Sequence, residues 1–183
     1  AGAICFGKTN LDQFATGLNG TRSPYGPCSS AFNSEYIAGG SSSGSAVSVS
    51  LHHVSFSIGT DTGGSGRIPA ALNNIVGLKP TCGTLSSNGL VPCCPSIDCP
   101  SIFALSVADA SHIASIMHTS NVSDSTLRDQ HESIEFSAIN SSSVGSIFYP
   151  LGPDLEFFGN IEGQSIYLDF LEGLRSKGFS LSG

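Results

Sequence analysis

Gly59-Thr60-Asp61-Thr62-Gly63-Gly64-Ser65-Gly66-Arg67-Ile68-Pro69 is the stretch whose reading decides the fold. Just before it, Val54-Ser55-Phe56-Ser57-Ile58 alternates apolar and polar residues, the period of a strand. Just after it, residues 68–72 suit a short helix, because Pro69 falls in the first turn, where its missing N–H costs nothing. A strand, a glycine-rich bend and a helix in that order hold a serine, Ser65, on a tight turn. Such a bend exposes the serine Oγ, and successive backbone N–H groups can converge on a developing oxyanion. One such donor stabilises an acyl-transfer transition state by ~2.7–4 kcal/mol.

A second glycine/serine turn lies upstream, Gly39-Gly40-Ser41-Ser42-Ser43-Gly44-Ser45. The intervening residues spell a helix of small side chains (residues 44–52) and the strand at 54–58, so the chain folds back between the turns. Both turns can then meet at one edge of a sheet, where sites of open α/β folds assemble. Serine alone is a poor nucleophile and needs a base. No histidine lies in either turn, so a Ser-His-Asp triad is not spelled out locally, and a Ser-Lys arrangement is the other known solution.

Other readings of the same residues stand beside this one. Both turns can be plain connecting loops with satisfied serines. Gly40-Ser41-Ser42-Ser43-Gly44 matches GxSxG literally and would make Ser42 an elbow nucleophile, but residues 31–38 (AFNSEYIA) are a poor preceding strand. A phosphate cradle fails, since neither turn has GxxxxGK[ST] or GxGxxG spacing.

Outward from the turns, helices and strands alternate, which points to the α/β class with a mixed sheet flanked by helices. Residues 1–6 (AGAICF) read as a strand and residues 9–18 as a short helix, capped by Thr9 or Asn10 and ended at Gly17. Further strands are expected at 75–79, 101–107 and 144–149, and helices at 109–117 and 161–177. Residues 81–100 are loop, and residues 119–143 are polar without sustained periodicity, a loop excursion. Both ends of the chain read as cut within a longer domain.

Composition excludes several classes. Hydrophobic residues make up 39% and charged ones 11%, a balance that argues against wholesale disorder. The net charge of −7, with no cluster of Lys or Arg, lacks the basic footprint of a nucleic-acid binder. No apolar run approaches the ~18–20 residues of a membrane span, and the N-terminal residues lack the pattern of a secretory signal. Six cysteines form no CxxC pair and have no histidine at ligand spacing, so no metal site is expected, and reduced thiols point to a cytoplasmic setting. Sequons at Asn19, Asn121 and Asn140 point the other way, but they arise easily by chance in a serine-rich chain.

Taken in order, Gly-Gly-Ser-Ser (39–42), the Gly-Thr-Asp-x-Gly-Gly-Ser block (59–65), Arg67-Ile68-Pro69-Ala70 and Gly77-Leu78-Lys79-Pro80-Thr81 resemble the amidase signature family. The likeness is continuous over residues 1–118 and weaker to the end, which makes residues 1–183 a partial amidase domain. The resemblance implies a Ser–cis-Ser–Lys mechanism with Ser65 as nucleophile and Ser41 as bridging serine, after a cis peptide at Gly40. It implies an oxyanion hole from the N–H groups of Thr62, Gly63, Gly64 and Ser65, with Asp61 and Arg67 bracing the turn, and neither cofactor nor metal.

Within the family the likeness is to allophanate hydrolases, the hydrolase part of urea amidolyases. Leu11-Asp12-Gln13-Phe14-Ala15-Thr16-Gly17, Thr21-Arg22-Ser23-Pro24-Tyr25-Gly26, Ser43, Gly66 to Asn74, Asp98 to Leu105 and Leu155 to Gly159 carry it. The implied substrate is a small-molecule amide, allophanate, split to ammonia and carbon dioxide in urea breakdown. The implied partner is a biotin-dependent urea carboxylase, fused or separate. Two alternatives remain: an amidase for another substrate, such as an amidotransferase A-type subunit, and a non-catalytic remnant. In one departure, Lys8, Lys79 and Lys177 do not match the family's catalytic lysine, which lies upstream of Gly7-Lys8-Thr9-Asn10, so the fragment alone is expected to be inactive. In a lesser one, Gly64 stands where allophanate hydrolases often carry Ala.

Overall fold

The computed structural model describes residues 2–118, 124, 126–128, 146–150, 152 and 155–183. These divide into two compact units, within Ala1–Ser137 and within Ala138–Gly183. The first is a three-stranded sheet with helices on both faces. Its elements are helix α1 (Ser43–Ser50), strand β1 (Phe56–Thr60), helix α2 (Arg67–Leu72), strands β2 (Val76–Leu78) and β3 (Pro100–Ala104), and helix α3 (Val107–His118). The sheet order is β1-β3-β2, and β3 runs antiparallel to both neighbours, with Ile58 and Leu78 each opposite Ile102.

Strand β3 is buried along its whole length, and its period of two divides the core. Phe103 points to one face and packs with Ala46 and Val49 of α1 and Ala70 of α2, with Val54 and Ile75 around them. Ile102 and Ala104 point to the other, against Leu85 and the Ala110 and Ala114 stripe of α3. The small residues of α1 let it lie close to the sheet. Serines tie it to its neighbours: Ser45 Oγ donates to Ile58 O, Ser57 Oγ of β1 donates to Ser45 O, and Ser50 Oγ donates to Asn73 O. Pro69, as expected, occupies the first turn of α2 and is buried there.

The expected helix over residues 9–18 is corrected to a single 3₁₀ turn, Gln13–Ala15, in which Phe14 and Ala15 have positive φ (54° and 57°). Tertiary hydrogen bonds override local propensity here. Asp12 is fully buried and accepts from the amides of Gly20 (3.0 Å) and Arg22 (2.6 Å), while its own N–H donates to Ser41 O (2.9 Å). Asn10, the expected cap, donates instead to Gly26 O. Residues 2–6 form no strand, because no segment among the described residues pairs with them, and Ile4 and Phe6 are exposed. The expected loop over 119–143 lies outside the described residues, apart from 124 and 126–128.

The second unit is a parallel pair, β4 (Ser146–Phe148) and β5 (Ser180–Ser182), joined through helix α4 (Ile161–Ser176). Asn160 caps α4 by accepting from Gly163 N (2.9 Å), and Leu171 is its buried residue. Strand β5 was not anticipated: three residues carry too little pattern to register. All six cysteines are free thiols, and no helix among the described residues is long and apolar enough to cross a membrane.

Phe103→Ala should cost about 3–5 kcal/mol, because the ring is fully enclosed between α1, α2 and the sheet. Ile58→Ala, at a half-exposed side chain of β1, should cost well under half of that. Denaturant unfolding of the two variants measures both.

Candidate active site

Strand β1 ends at Thr60 and the chain enters the glycine-rich turn at Asp61, whose carboxylate organises it. Asp61 is fully buried. Its oxygens accept from the backbone N–H groups of Gly64 (2.7 Å), Gly66 (3.1 Å) and Arg67 (3.0 Å), and from Arg67 Nε (2.9 Å) and Nη2 (3.0 Å). Burial pushes its carboxyl pKa up. The Arg67 guanidinium and the three amides outweigh that and hold it at about 2. The Arg67 side chain is 56% exposed, so one face of the pair meets solvent. Asp61 N also donates to Cys99 O (2.8 Å), which fastens the turn to the start of β3.

The upstream turn meets this one directly. Ser42 N donates to Ser65 O (3.1 Å), and Ser42 Oγ donates to Thr60 O and accepts from Thr60 N, both at 3.1 Å. Ser42 is thereby committed to the end of β1, which removes the elbow-nucleophile reading. The Gly40-Ser41 peptide is cis. Gly40 N donates to Leu18 O (2.7 Å), and a Cβ at Gly40 would collide with the Asp12 carboxylate and the Gly20 amide.

Ser41 and Ser65 are both buried, at 0% and 3% exposure. Ser41 Oγ makes no hydrogen bond among the described residues, and a buried hydroxyl without a partner carries a penalty of about 1–3 kcal/mol. The Ser41 and Ser65 hydroxyls do not bond to each other; catalytic hydrogen bonds are often long before substrate binds. Within the first unit neither lysine is hydrogen-bonded to either serine: Lys79 Nζ donates to Cys82 Sγ (3.4 Å), and Lys8 is exposed.

Of the four amides expected in an oxyanion hole, that of Gly64 is spent on Asp61. Those of Thr62, Gly63 and Ser65 make no hydrogen bond among the described residues. Gly64 has φ +126°, where an L side chain is strained, and a Cβ there would also press on Ile68 (2.9 Å). Gly63 has a negative φ and open space around it. In this chain the position of the turn with room for a methyl group is Gly63 rather than Gly64.

Three supporting residues were not legible as such. Asn73, fully buried at the end of α2, donates to Ala38 O and Pro69 O (2.8 Å each) and accepts from Ala31 N (2.9 Å). Asp12 is described above, and Asp98 accepts from Thr62 Oγ1 (2.5 Å). Each needs a partner from a distant loop, and no local motif announces that. Among the described residues no group of His, Cys, Asp and Glu is arranged to hold a metal ion. A half-open cleft lined by His52, Phe56, Leu105, Asp109 and His112 shares no residue with the two turns.

A family model described as Amidase matches residues 1–147. The urea amidolyase of Lachancea kluyveri is 42% identical over 181 residues, 99% of this chain and 10% of that protein. The urea amidolyase of Saccharomyces cerevisiae is 62% identical over 117 residues, 64% of this chain and 6% of that protein. A variant of Kluyveromyces lactis allophanate hydrolase, solved as a structure, superposes with a TM-score of 0.85 at 42% identity, over 99% of this chain and 29% of that one. The chain thus spans a tenth or less of those urea amidolyases and under a third of the solved hydrolase.

Two outcomes follow from the turn's geometry. Gly63→Ala should leave the unfolding free energy within about 0.5 kcal/mol of the parent, whereas Gly64→Ala should lose about 1–3 kcal/mol to the strained φ. Because the folded pKa of Asp61 lies below its ordinary value of 3.8, its contribution of about 2 kcal/mol is fully present above pH 4. It should disappear as the pH falls from about 4 to about 2. Unfolding free energies measured across that window should show the loss in the parent chain and a shallower slope in Arg67→Ala.

Proposed function

We propose that this chain, which belongs to the amidase family, is part of a serine amidohydrolase whose substrate is allophanate. One observation carries the reading. Two glycine/serine turns are hydrogen-bonded together so that buried Ser41 and Ser65 lie on adjoining backbone, beside amides of Thr62, Gly63 and Ser65 that have no hydrogen-bond partner among the described residues. Those features answer the needs of acyl transfer: a confined nucleophile, a second hydroxyl, and donors left for an oxyanion. The likeness to urea amidolyases and to an allophanate hydrolase supports the choice of substrate. Residues 1–183 are read as a partial amidase domain.

In the proposed reaction a neutral lysine takes a proton from Ser41 Oγ, and Ser41 takes one from Ser65 Oγ. Ser65 Oγ bonds to the terminal amide carbonyl of allophanate, and the oxygen that becomes negative is met by the free N–H groups of Thr62, Gly63 and Ser65. The C–N bond then breaks, ammonia leaves with the relayed proton, and water hydrolyses the acyl-serine. Lys8, Lys79 and Lys177 do not supply the base, so a lysine from sequence outside these residues does. A lysine must be neutral to act as this base, which burial or neighbouring donors achieve by lowering its pKa. Asp61, Arg67 and Gly40 hold the two turns in place and touch no reacting atom. Protein and substrate supply all of this chemistry, without a cofactor. The natural partner is a biotin-dependent urea carboxylase, fused or separate, that delivers the substrate.

Ser65→Ala in the full-length protein that carries this chain should lower ammonia release from allophanate by at least ~10³-fold, as loss of a nucleophile does. Ser42→Ala should stay within about tenfold of the parent, since Ser42 only braces the end of β1. Ammonia release that survives Ser65→Ala sinks the proposal.

A further inference from the structure

Thr62 is the first free amide of the turn, and its side chain is held from outside the turn. Its Oγ1 donates to Asp98 Oδ1 at 2.5 Å, across 36 positions of sequence. The same carboxylate accepts from Cys93 N (2.9 Å) and from Cys94 N (3.0 Å to each oxygen). Asp98 is therefore a junction with three donors: one hydroxyl from the nucleophile turn and two amides from the loop before β3. Burial works against its charge, yet the Thr62 hydroxyl and the Cys94 and Cys93 amides hold its pKa below the ordinary carboxylate value. The next residue, Cys99, takes the N–H of Asp61 on its carbonyl. Consecutive residues 98 and 99 thus grip consecutive residues 62 and 61.

The grip on Asp61 adds little to what Arg67 and three amides already do. The grip on Thr62 is different. Thr62 has no other hydrogen bond among the described residues, and it is followed by Gly63, which is exposed, makes no hydrogen bond among the described residues and has open space where a side chain would lie. Asp61 and Gly64 are fixed on either side of the Thr62–Gly63 pair, and the Asp98 bond is the one hydrogen bond among the described residues made by the pair itself, so it bears on the direction of their two N–H groups. A donor must lie 2.7–3.1 Å from where the oxyanion will be, not merely nearby.

We infer that Asp98 is a positioning residue for the reaction. Through the Thr62 hydroxyl it aims the Thr62 and Gly63 amides at the oxyanion, and it ties that aim to the backbone of the Cys93-Cys94 loop. This rests on the function proposed above.

The test measures kcat and KM for ammonia release by the full-length protein that carries this chain, with Asp98→Ala, Thr62→Val, Thr62→Ser and the Asp98→Ala/Thr62→Val pair. Removing an oxyanion donor costs ~10²–10³ in kcat, and misaiming one costs less, so Asp98→Ala and Thr62→Val should each lower kcat about 10–100-fold. KM should stay within about twofold, because the interaction is made only in the transition state. The double variant should be no worse than the worse single one, since both remove the same bond. Thr62→Ser, which keeps the hydroxyl and folds as the parent does, should restore kcat to within about threefold. Full kcat in Thr62→Val overturns the inference while leaving the proposed function intact. Strictly multiplicative losses in the double variant overturn it too, because two independent structural defects would then be at work. An unsubstituted protein that releases no ammonia, and whose Ser65 takes no fluorophosphonate label, removes the proposed function and this inference with it.

Discussion

Everything in the nucleophile turn depends on one buried carboxylate. A run of Gly-Gly-Ser-Gly has high conformational entropy when unfolded, and no side chain of its own but Ser65 to hold it in a single shape. Asp61 offsets that by accepting three amides from the turn and both arms of Arg67. The charge survives burial only because those donors surround it. Remove them and the same carboxylate would be a destabilising group in the core. The interaction therefore runs both ways: the turn neutralises the aspartate, and the aspartate shapes the turn.

That shape decides which amides are left over. A buried or half-buried N–H normally finds a partner, and one that does not carries a penalty. Asp61 takes the N–H groups of Gly64, Gly66 and Arg67, and those of Thr62, Gly63 and Ser65 are left without a partner among the described residues. The same logic applies to the hydroxyls. Ser42, Ser45, Ser50 and Ser57 each bond to a nearby carbonyl and serve packing. The Ser41 hydroxyl is as deeply buried and, like that of Ser101 on β3, has no hydrogen-bond partner among the described residues. In a segment so rich in serine, what sets Ser41 apart is its lack of a partner.

Much of this was legible in the sequence because it is local. The alternation at Val54 to Ile58, the glycines at the bend and Pro69 just inside a helix are each short-range signals, and they place β1, the turn and α2. The meeting of the two turns follows from the helix–strand unit between them. Residues 9–18 failed for the opposite reason. Asp12 and Asn10 look like helix-capping residues, and their short polar side chains do bind backbone, but the backbone belongs to Gly20, Arg22 and Gly26. Periodicity cannot see that competition. Nor could composition distinguish Gly63 from Gly64, since only the sign of φ does so.

The buried strand β3 explains why such a small sheet can hold the site steady. Its apolar side chains serve two cores: Phe103 anchors α1 and α2, and Ile102 with Ala104 anchors α3. Its residues opposite β1 run to Pro100, paired with Thr60, so the ladder ends where the nucleophile turn begins. The two residues before that point have no further ladder to join. Cys99 turns its carbonyl, and Asp98 its carboxylate, onto residues 61 and 62 instead. The turn is in effect a continuation of the β1–β3 pairing by other donors and acceptors. Rigidity built from hydrophobic burial in the sheet is thereby passed, bond by bond, to a glycine-rich segment that has no core of its own.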